Sequence, residues 1–310
     1  MPDTLNNPNR GAAGLVLAAM MVIGAIDAAV PLIAETAGLF QFHLTRASIV
    51  LPILFFVMRA RGVSVRPHRW WAVALRSGAI AVAMMIYFGA LAFLPVGQVV
   101  AALFTAPIFV LLITVMLPGG RVGWVEGSAI LLGFAGVLVV LKPSAGMSGV
   151  ALVPILAGLA YGISAVVTRR LCAEESVLVM LWWFFCTMAG LSVIGLGALA
   201  GFSPQPEDAV FVTRGWVAAP GALFYTLCTV QALGAMFALG CLTRAYTVGD
   251  PPVVAGMEYS LLIFAAFWAW VLLAQIPTAT TLAGSVLILL SGAAILTAQR
   301  QKSAYRGLRT

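Results

Sequence analysis

Apolar runs broken by short polar stretches recur from one end of the chain to the other. Ten are span-length, at about 12–33, 38–58, 71–94, 97–117, 123–141, 149–168, 176–199, 216–243, 251–273 and 280–299. A helix needs about 20 apolar residues to cross a hydrocarbon layer about 30 Å thick. Such a layer has no water to satisfy backbone N–H and C=O groups, so the runs predict helices. The expected fold is therefore an all-α membrane protein with ten transmembrane helices. The longest connection, 200–215, holds Pro204, Pro206, Glu207 and Asp208 and is expected to be a solvated loop.

The pattern occurs twice. Ala90 to Pro107 (ALAFLPVGQVVAALFTAP) reads as the end of one helix, a tight turn and the start of the next. Leu242 to Tyr259 (LTRAYTVGDPPVVAGMEY) reads the same way. Each has an aromatic before the turn (Phe93, Tyr246) and a glycine in it (Gly97, Gly249). Small residues follow, with Pro107 in one copy and Pro251 and Pro252 in the other. These prolines remove backbone donors and are expected to kink the fourth and ninth spans. The segment from Gly14 also aligns with that from Leu152, matching Gly24 to Gly162, and Gly127-Ser128 aligns with Gly284-Ser285. Ten spans divide into two five-helix repeats, 11–143 and 149–299, with a basic tail at 300–310. An odd number of spans per repeat turns the second upside down. Inverted repeats with a site near the midplane are a recurring plan of secondary transporters.

Composition agrees: 62% of the 310 residues are apolar and 9% are charged, against about a quarter charged in a soluble domain. The net charge of +7 lies in short loops and a tail, so no nucleic-acid partner is expected; the partners are the bilayer and a small molecule. With the N-terminus inside, most cations fall on the cytoplasmic side. They are Arg10, Arg59, Arg61, Arg66, Arg69, Arg76, Arg121, Arg169, Arg170, Arg244, Arg300, Lys302, Arg306 and Arg309. Lys142 and Arg214 fall outside, and Arg46 lies within a span. That bias places both termini in the cytoplasm. Trp70, Trp71, Trp124, Trp216, Trp268 and Trp270 fit interfacial belts. Trp182 and Trp183 lie deeper, and one of them is a candidate cavity residue. The first apolar run is too long for a signal-peptide core and holds Asp27, so it is expected to be retained. Cys172, Cys186, Cys228 and Cys241 form no C-x-x-C pair, which points to neither a disulfide framework nor a metal site. The chain contains no G-x-x-x-x-G-K-[ST], H-E-x-x-H or G-x-S-x-G motif. No cofactor and no enzymatic activity are expected, and one chain with both repeats is expected to act as a monomer.

The twice-repeated unit resembles the EamA branch of the drug/metabolite transporter superfamily over nearly the full chain. The likeness rests on the small-Leu-x-aromatic end of the third span (Ala90, Leu91, Phe93) and the later Pro107. In the second half it rests on Tyr259 and Pro277. The Glu that often closes spans four and nine in that family is replaced here by Gly120 and Gln275, so its role is not carried over. The resemblance implies a bacterial inner-membrane carrier with spans one to four and six to nine around a central cavity. It also implies export, with amino acids the leading substrate class. S-adenosylmethionine, nucleosides and cationic drugs are the rival substrates, and a non-transporting sensor or assembly protein is the rival function.

Ionisable side chains inside a bilayer are costly and mark candidate sites. His43 and Arg46 share one helix face, three residues apart. Asp27 and Arg46 lie about 9–10 Å from the outer ends of adjoining spans at 1.5 Å per residue. They are expected to meet, either as a zwitterion site or as a structural ion pair. In the first case Arg46 takes a carboxylate and Asp27 an ammonium. Glu258, in the second hairpin, is a candidate for a substrate cation or a proton. Asp27 and His43 are further candidates for proton coupling. Tyr87, Gln98, Tyr246 and Tyr259 are expected to line the substrate site, with Tyr161 and Gln231 as further polar candidates. Gly97, Pro107, Gly249, Pro251 and Pro252 are the expected hinge.

Overall fold

The computed structural model describes residues 8–116, 124–141, 152–202, 209–248 and 257–307. Among these residues every regular element of more than one residue is a helix. The first apolar run is α1 (Pro8–Ala28) and α2 (Val30–Thr36), followed by α3 (Leu39–Ala60) and α4 (Trp70–Leu91). The fourth run is α5 (Val96–Leu103) and α6 (Ala106–Met116), and the fifth is α7 (Trp124–Leu141). Then come α8 (Val153–Leu171), α9 (Val177–Phe202), α10 (Ala222–Val248), α11 (Leu261–Leu273) and α12 (Ala279–Gly307). Five stretches are long and apolar enough to cross a membrane: Gly11–Thr36, Leu39–Ala60, Trp70–Leu91, Val177–Gly201 and Ala222–Leu242. Shorter apolar helices occupy the other five runs.

Three breaks interrupt the helices. Pro31 has no N–H for the carbonyl of Asp27, and a single turn residue, Ala29, separates α1 from α2 while its backbone stays in the helical region. A second break falls at Phe104–Thr105, ahead of Pro107, and a third at Tyr259–Ser260, ahead of α11. The last two lie in the two matched hairpins. Their aromatic rings face each other, with Phe104 and Tyr259 centroids 5.0 Å apart. The alignment through Val96-Gly97 and Val248-Gly249 would have paired Phe104 with Gly256. The structural correspondence is therefore about one turn further along the second half.

The largest helix interfaces all join residues 8–141 to residues 152–307. Helix α4 packs on α8, α10 on α1, α3 on α9 and α7 on α12, while α11 packs on α1 and α6 on α8. Along α3 and α9, Phe40 lies against Gly195 and Phe55 against Trp182, so the two helices run antiparallel. Along α7 and α12, Ser291 Oγ donates to the Ala129 carbonyl at 2.6 Å, and Val140 lies against Gly284. That pair is antiparallel too.

Glycines set how closely the halves approach. A Cβ on Gly24 of α1 would stand 2.9 Å from the Phe264 carbonyl carbon and 3.0 Å from Ala265 N on α11. A Cβ on Gly162 of α8 would stand 3.2 Å from Phe109 Cβ and 3.3 Å from Val110 N on α6. Gly24 and Gly162 are the two glycines that the sequence alignment pairs. Where lipid replaces water, such small-residue contacts are the main source of helix–helix attraction. The outward faces stay apolar, with Phe56, Leu131, Ile194 and Ile263 exposed.

At the arginine-rich end, Arg69 N donates to Glu175 Oε1 at 2.7 Å and Trp183 Nε1 to the Val65 carbonyl at 3.0 Å. At the far end, the described part of the connection expected to be a solvated loop is packed. Phe211 is buried, its carbonyl accepts from Leu39 N at 2.8 Å, and Arg214 Nη1 donates to the carbonyls of Ala34 and Glu35, each at 2.9 Å. Gln41 and the Val217 backbone exchange two hydrogen bonds of 2.9 Å. The reason is physical: the last carbonyls of α2 and first N–H of α3 have no helical partners, and this segment supplies them.

Replacing Gly24 with alanine is expected to destabilise the protein in detergent by about 1–3 kcal/mol. Gly78→Ala, where an added Cβ meets nothing within 4 Å, is expected to leave the thermal midpoint unchanged or raised. Melting curves of both variants check the crossing.

Candidate functional site

The break at Ala29 places Asp27 in the last turn of α1, facing α4 and α10. Tyr87 Oη of α4 donates to Asp27 Oδ2 at 2.7 Å. Gln231 Nε2 of α10 donates to the Ile26 carbonyl at 2.9 Å and, longer, to Asp27 Oδ1 at 3.4 Å. One carboxylate thus ties together helices from both halves. Asp27, Tyr87 and Gln231 are all buried. With both donor contacts fixing the amide orientation, Gln231 Oε1 is left without a partner.

His43 and Arg46 project from one face of α3 into the same region, 2% and 6% exposed. The Arg46 guanidinium carbon lies 5.3 Å from the centre of the Phe42 ring and 5.0 Å from that of Phe88. The His43 ring is 4.8 Å from Phe42 and 5.1 Å from Phe88. Asp27 and Cys228 are the electrostatic neighbours of Arg46. Asp27 is thus an electrostatic neighbour of Arg46, while the hydrogen bonds of Asp27 go to Tyr87 and Gln231. Arg46 Nε and His43 Nε2 are buried with no hydrogen-bond partner. Aromatic faces attract a guanidinium but do not satisfy its in-plane N–H groups.

Glu258 belongs to a second group. Its electrostatic neighbours are Tyr161 of α8 and Tyr259. Tyr161 is also an electrostatic neighbour of Arg76. Arg76, counted from sequence with the cytoplasmic loop cations, stands inside α4. Its Nη1 donates to the Met180 carbonyl of α9 at 3.1 Å and its Nε to Thr168 Oγ1 of α8 at 3.3 Å. It is the functional candidate that sequence reasoning missed. The signal was a charge in the second turn of an apolar run, masked by its nearness to the loop. Tyr259, expected to line the site, is wedged between Phe104 and Gly292.

The structure thus divides the sequence-predicted residues between two polar groups. One draws on α1, α3, α4 and α10, the other on α4, α8, α9 and the turn before α11. Gln98 is half-buried in the first turn of α5, its N–H bonded to the Pro95 carbonyl at 2.9 Å. Gly97 faces the methyl group of Thr281. Pro107 stands at the second residue of α6 and Tyr246 in the last turn of α10, their side chains outside the described ones. Gly249, Pro251 and Pro252 lie outside the described residues altogether, as does Gly120. Trp182 stacks beside Phe55 at 6.2 Å and Trp183 binds the Val65 carbonyl, so neither belongs to either polar group. Among the described residues no three His, Cys, Asp or Glu side chains gather as metal ligands.

A helical bundle with an apolar exterior and span-length apolar helices is a multi-pass membrane protein. Residues 10–142 match the model of the EamA-like transporter family, and this segment belongs to that family. A riboflavin transporter of Rhizobium johnstonii is 27% identical over 76% of this chain and 72% of its own. The pseudopaline exporter CntI of Pseudomonas aeruginosa is 24% identical over 89% of this chain and 93% of its own. An S-adenosylmethionine uptake transporter of Rickettsia prowazekii is 23% identical over 80% and 78%. A solved crystal structure shares the fold, with TM-score 0.61 over 93% of this chain and 98% of the other at 18% identity. These three relatives are all transporters, and the chain resembles each of them over three quarters of its length or more.

Removing the Tyr87 hydroxyl leaves Asp27 Oδ2 without that donor. Tyr87→Phe is expected to cost about 1–3 kcal/mol. In a double-mutant cycle with Asp27→Asn the two effects are expected to be strongly non-additive. Additive melting shifts would show that the 2.7 Å contact carries no stability.

Proposed function

We propose that this chain is a secondary transporter exporting a small polar metabolite, with amino acids or related compounds the leading class, across a bacterial inner membrane. It works by alternating access between two inverted five-helix repeats, 11–143 and 149–299. The observation that carries the reading is the pairing of the halves. Equivalent helices, α3 with α9 and α7 with α12, meet antiparallel. Equivalent glycines, Gly24 and Gly162, serve equivalent crossings. Antiparallel meeting of equivalent helices is what an inverted duplication produces. Export is supported by the relative aligned over 89% of this chain, which is an exporter. The arginine tally supports cytoplasmic termini. That makes the Arg76 end the inner one.

Exchange of the halves turns the set α4, α8, α9 into the set α10, α1, α3. Each set carries one polar fastening. Arg76 joins α4 to α8 and α9 near the inner end. Gln231 joins α10 to α1 near the outer end. Alternating access follows when one fastening opens while the other holds. Asp27, Arg46, His43, Tyr87 and Glu258 lie on or between the two fastenings, where a solute would pass. Backbone breaks at Phe104–Thr105 and Tyr259–Ser260 let the fourth and ninth spans bend; such breaks persist in a membrane only where protein or a wet cavity satisfies the backbone.

The test is counterflow of labelled amino acids in proteoliposomes, with impermeant maleimide labelling of Cys172 and Cys228 in a Cys186→Ala/Cys241→Ala background. Cys172 and Cys228 are buried, beside the inner and outer fastenings respectively. Arg76→Gln is expected to speed labelling of Cys172 from the cytoplasmic side and Gln231→Leu that of Cys228 from the outside. Each is expected to slow transport about tenfold or more, the worth of a buried hydrogen bond to charge. Labelling that is unchanged in both variants would remove the two-fastening mechanism. Proteoliposomes that move no solute would remove the transporter itself.

A further inference from the structure

The first polar group has a hydrogen-bond inventory that does not balance. Asp27 accepts from Tyr87 and Gln231. Gln231 Nε2 is committed to Ile26 and Asp27. Three buried atoms remain without a partner: Arg46 Nε, His43 Nε2 and Gln231 Oε1. Two of them are ring or guanidinium nitrogens that can donate, and the third is an amide acceptor. A buried polar atom left unpaired costs about 1–3 kcal/mol, more beside a charge, so three in one cluster mark a missing binding partner. The cluster lies on helices of both halves, so whatever fills it also bridges them.

Resting on the transporter reading above, we propose that Arg46 and His43 form a carboxylate subsite and that Gln231 Oε1 receives an amino or hydroxyl donor of the same substrate. Donors and acceptors then match one to one. The guanidinium fork fits a planar carboxylate. Phe42 and Phe88 hold the guanidinium between ring centres 5.3 and 5.0 Å from its carbon, and its Nε has no hydrogen-bond partner. A dianion is disfavoured, because Asp27 already stands beside Arg46 and like charges repel strongly at low dielectric. On this proposal Asp27 is a positioning residue that sets Tyr87 and Gln231, and the substrate's amino group goes to Gln231 Oε1 instead. The substrate class is an α-amino or α-hydroxy monocarboxylate.

The experiment uses proteoliposomes carrying the full chain. Uptake is measured for the standard amino acids and their 2-hydroxy analogues, each against its primary amide, with riboflavin and adenosine as solutes of other classes. Acids are expected to move and their amides not. Arg46→Lys keeps the charge but loses the fork, and is expected to raise half-saturation about tenfold. His43→Gln, which keeps a donor, is expected to retain the preference for acid over amide. Arg46→Gln is expected to abolish acid uptake, its folding checked by monodispersity. Amides moving as well as acids, or unchanged half-saturation in Arg46→Lys, overturns the subsite. Uptake of riboflavin or adenosine that no acid inhibits overturns it too, and leaves the transporter reading standing. Uptake of nothing at all overturns both.

Discussion

A carboxylate inside a hydrocarbon layer must be hydrogen-bonded from within the protein, because neither lipid nor water will do it. Asp27 meets that requirement through Tyr87 and Gln231, and the rest of the interior follows from it. Tyr87 lies on α4 of the first half and Gln231 on α10 of the second. Satisfying one side chain of α1 thereby fixes α1 against a helix of each half. Gln231 also donates to the Ile26 carbonyl, next to Asp27 in the chain. Arg46 sits near enough to feel the charge of Asp27 without sharing its hydrogen bonds.

The two halves are joined by small residues and separated by polar ones. Gly24, Gly162, Gly136 and Gly284 bring backbones into contact, giving rigid packing without a hydrophobic driving force. Between these contacts lie Arg76, Gln231 and their partners, whose hydrogen bonds can be exchanged for bonds to water or solute at modest net cost. Tight crossings that persist and polar fastenings that exchange are the division of labour a rocking mechanism needs. Arg214 and Gln41 add a cap over the far end.

Much of this was legible in the sequence. Hydropathy marked the apolar part of every helix, because length and apolarity are what a membrane span needs, whereas residues 300–307, read as a tail, continue α12. The three-residue spacing of His43 and Arg46 put them on one face, and their depth put Arg46 near Asp27. Tyr87 stood among the cavity candidates without a partner assigned. Gln231 gave no sign of its partner, because a single polar residue in an apolar helix carries no register, and 204 residues separate it from Asp27. Arg76 was tallied with the cytoplasmic cations although the third run, 71–94, contains it, and so it was not weighed among the buried charges. The packed stretch after Asp208 was read as solvent-exposed from its polar beginning, since the helix-end groups it satisfies belong to distant α2 and α3. The slip of about one turn between the matched breaks came from aligning turn glycines, whereas the rings that meet at the breaks are Phe104 and Tyr259.

The central claim is that two rigid halves open alternately around this interior. Pulsed spin-label distances measure it most directly. One pair of labels goes at Ser64 and Glu174 on the arginine-rich end, the other at Phe93 and Trp216 on the far end, all exposed positions. In lipid nanodiscs each pair is expected to give two distances whose populations shift in opposite senses when substrate is added. A single distance at both ends, unmoved by any transported solute, would contradict the account.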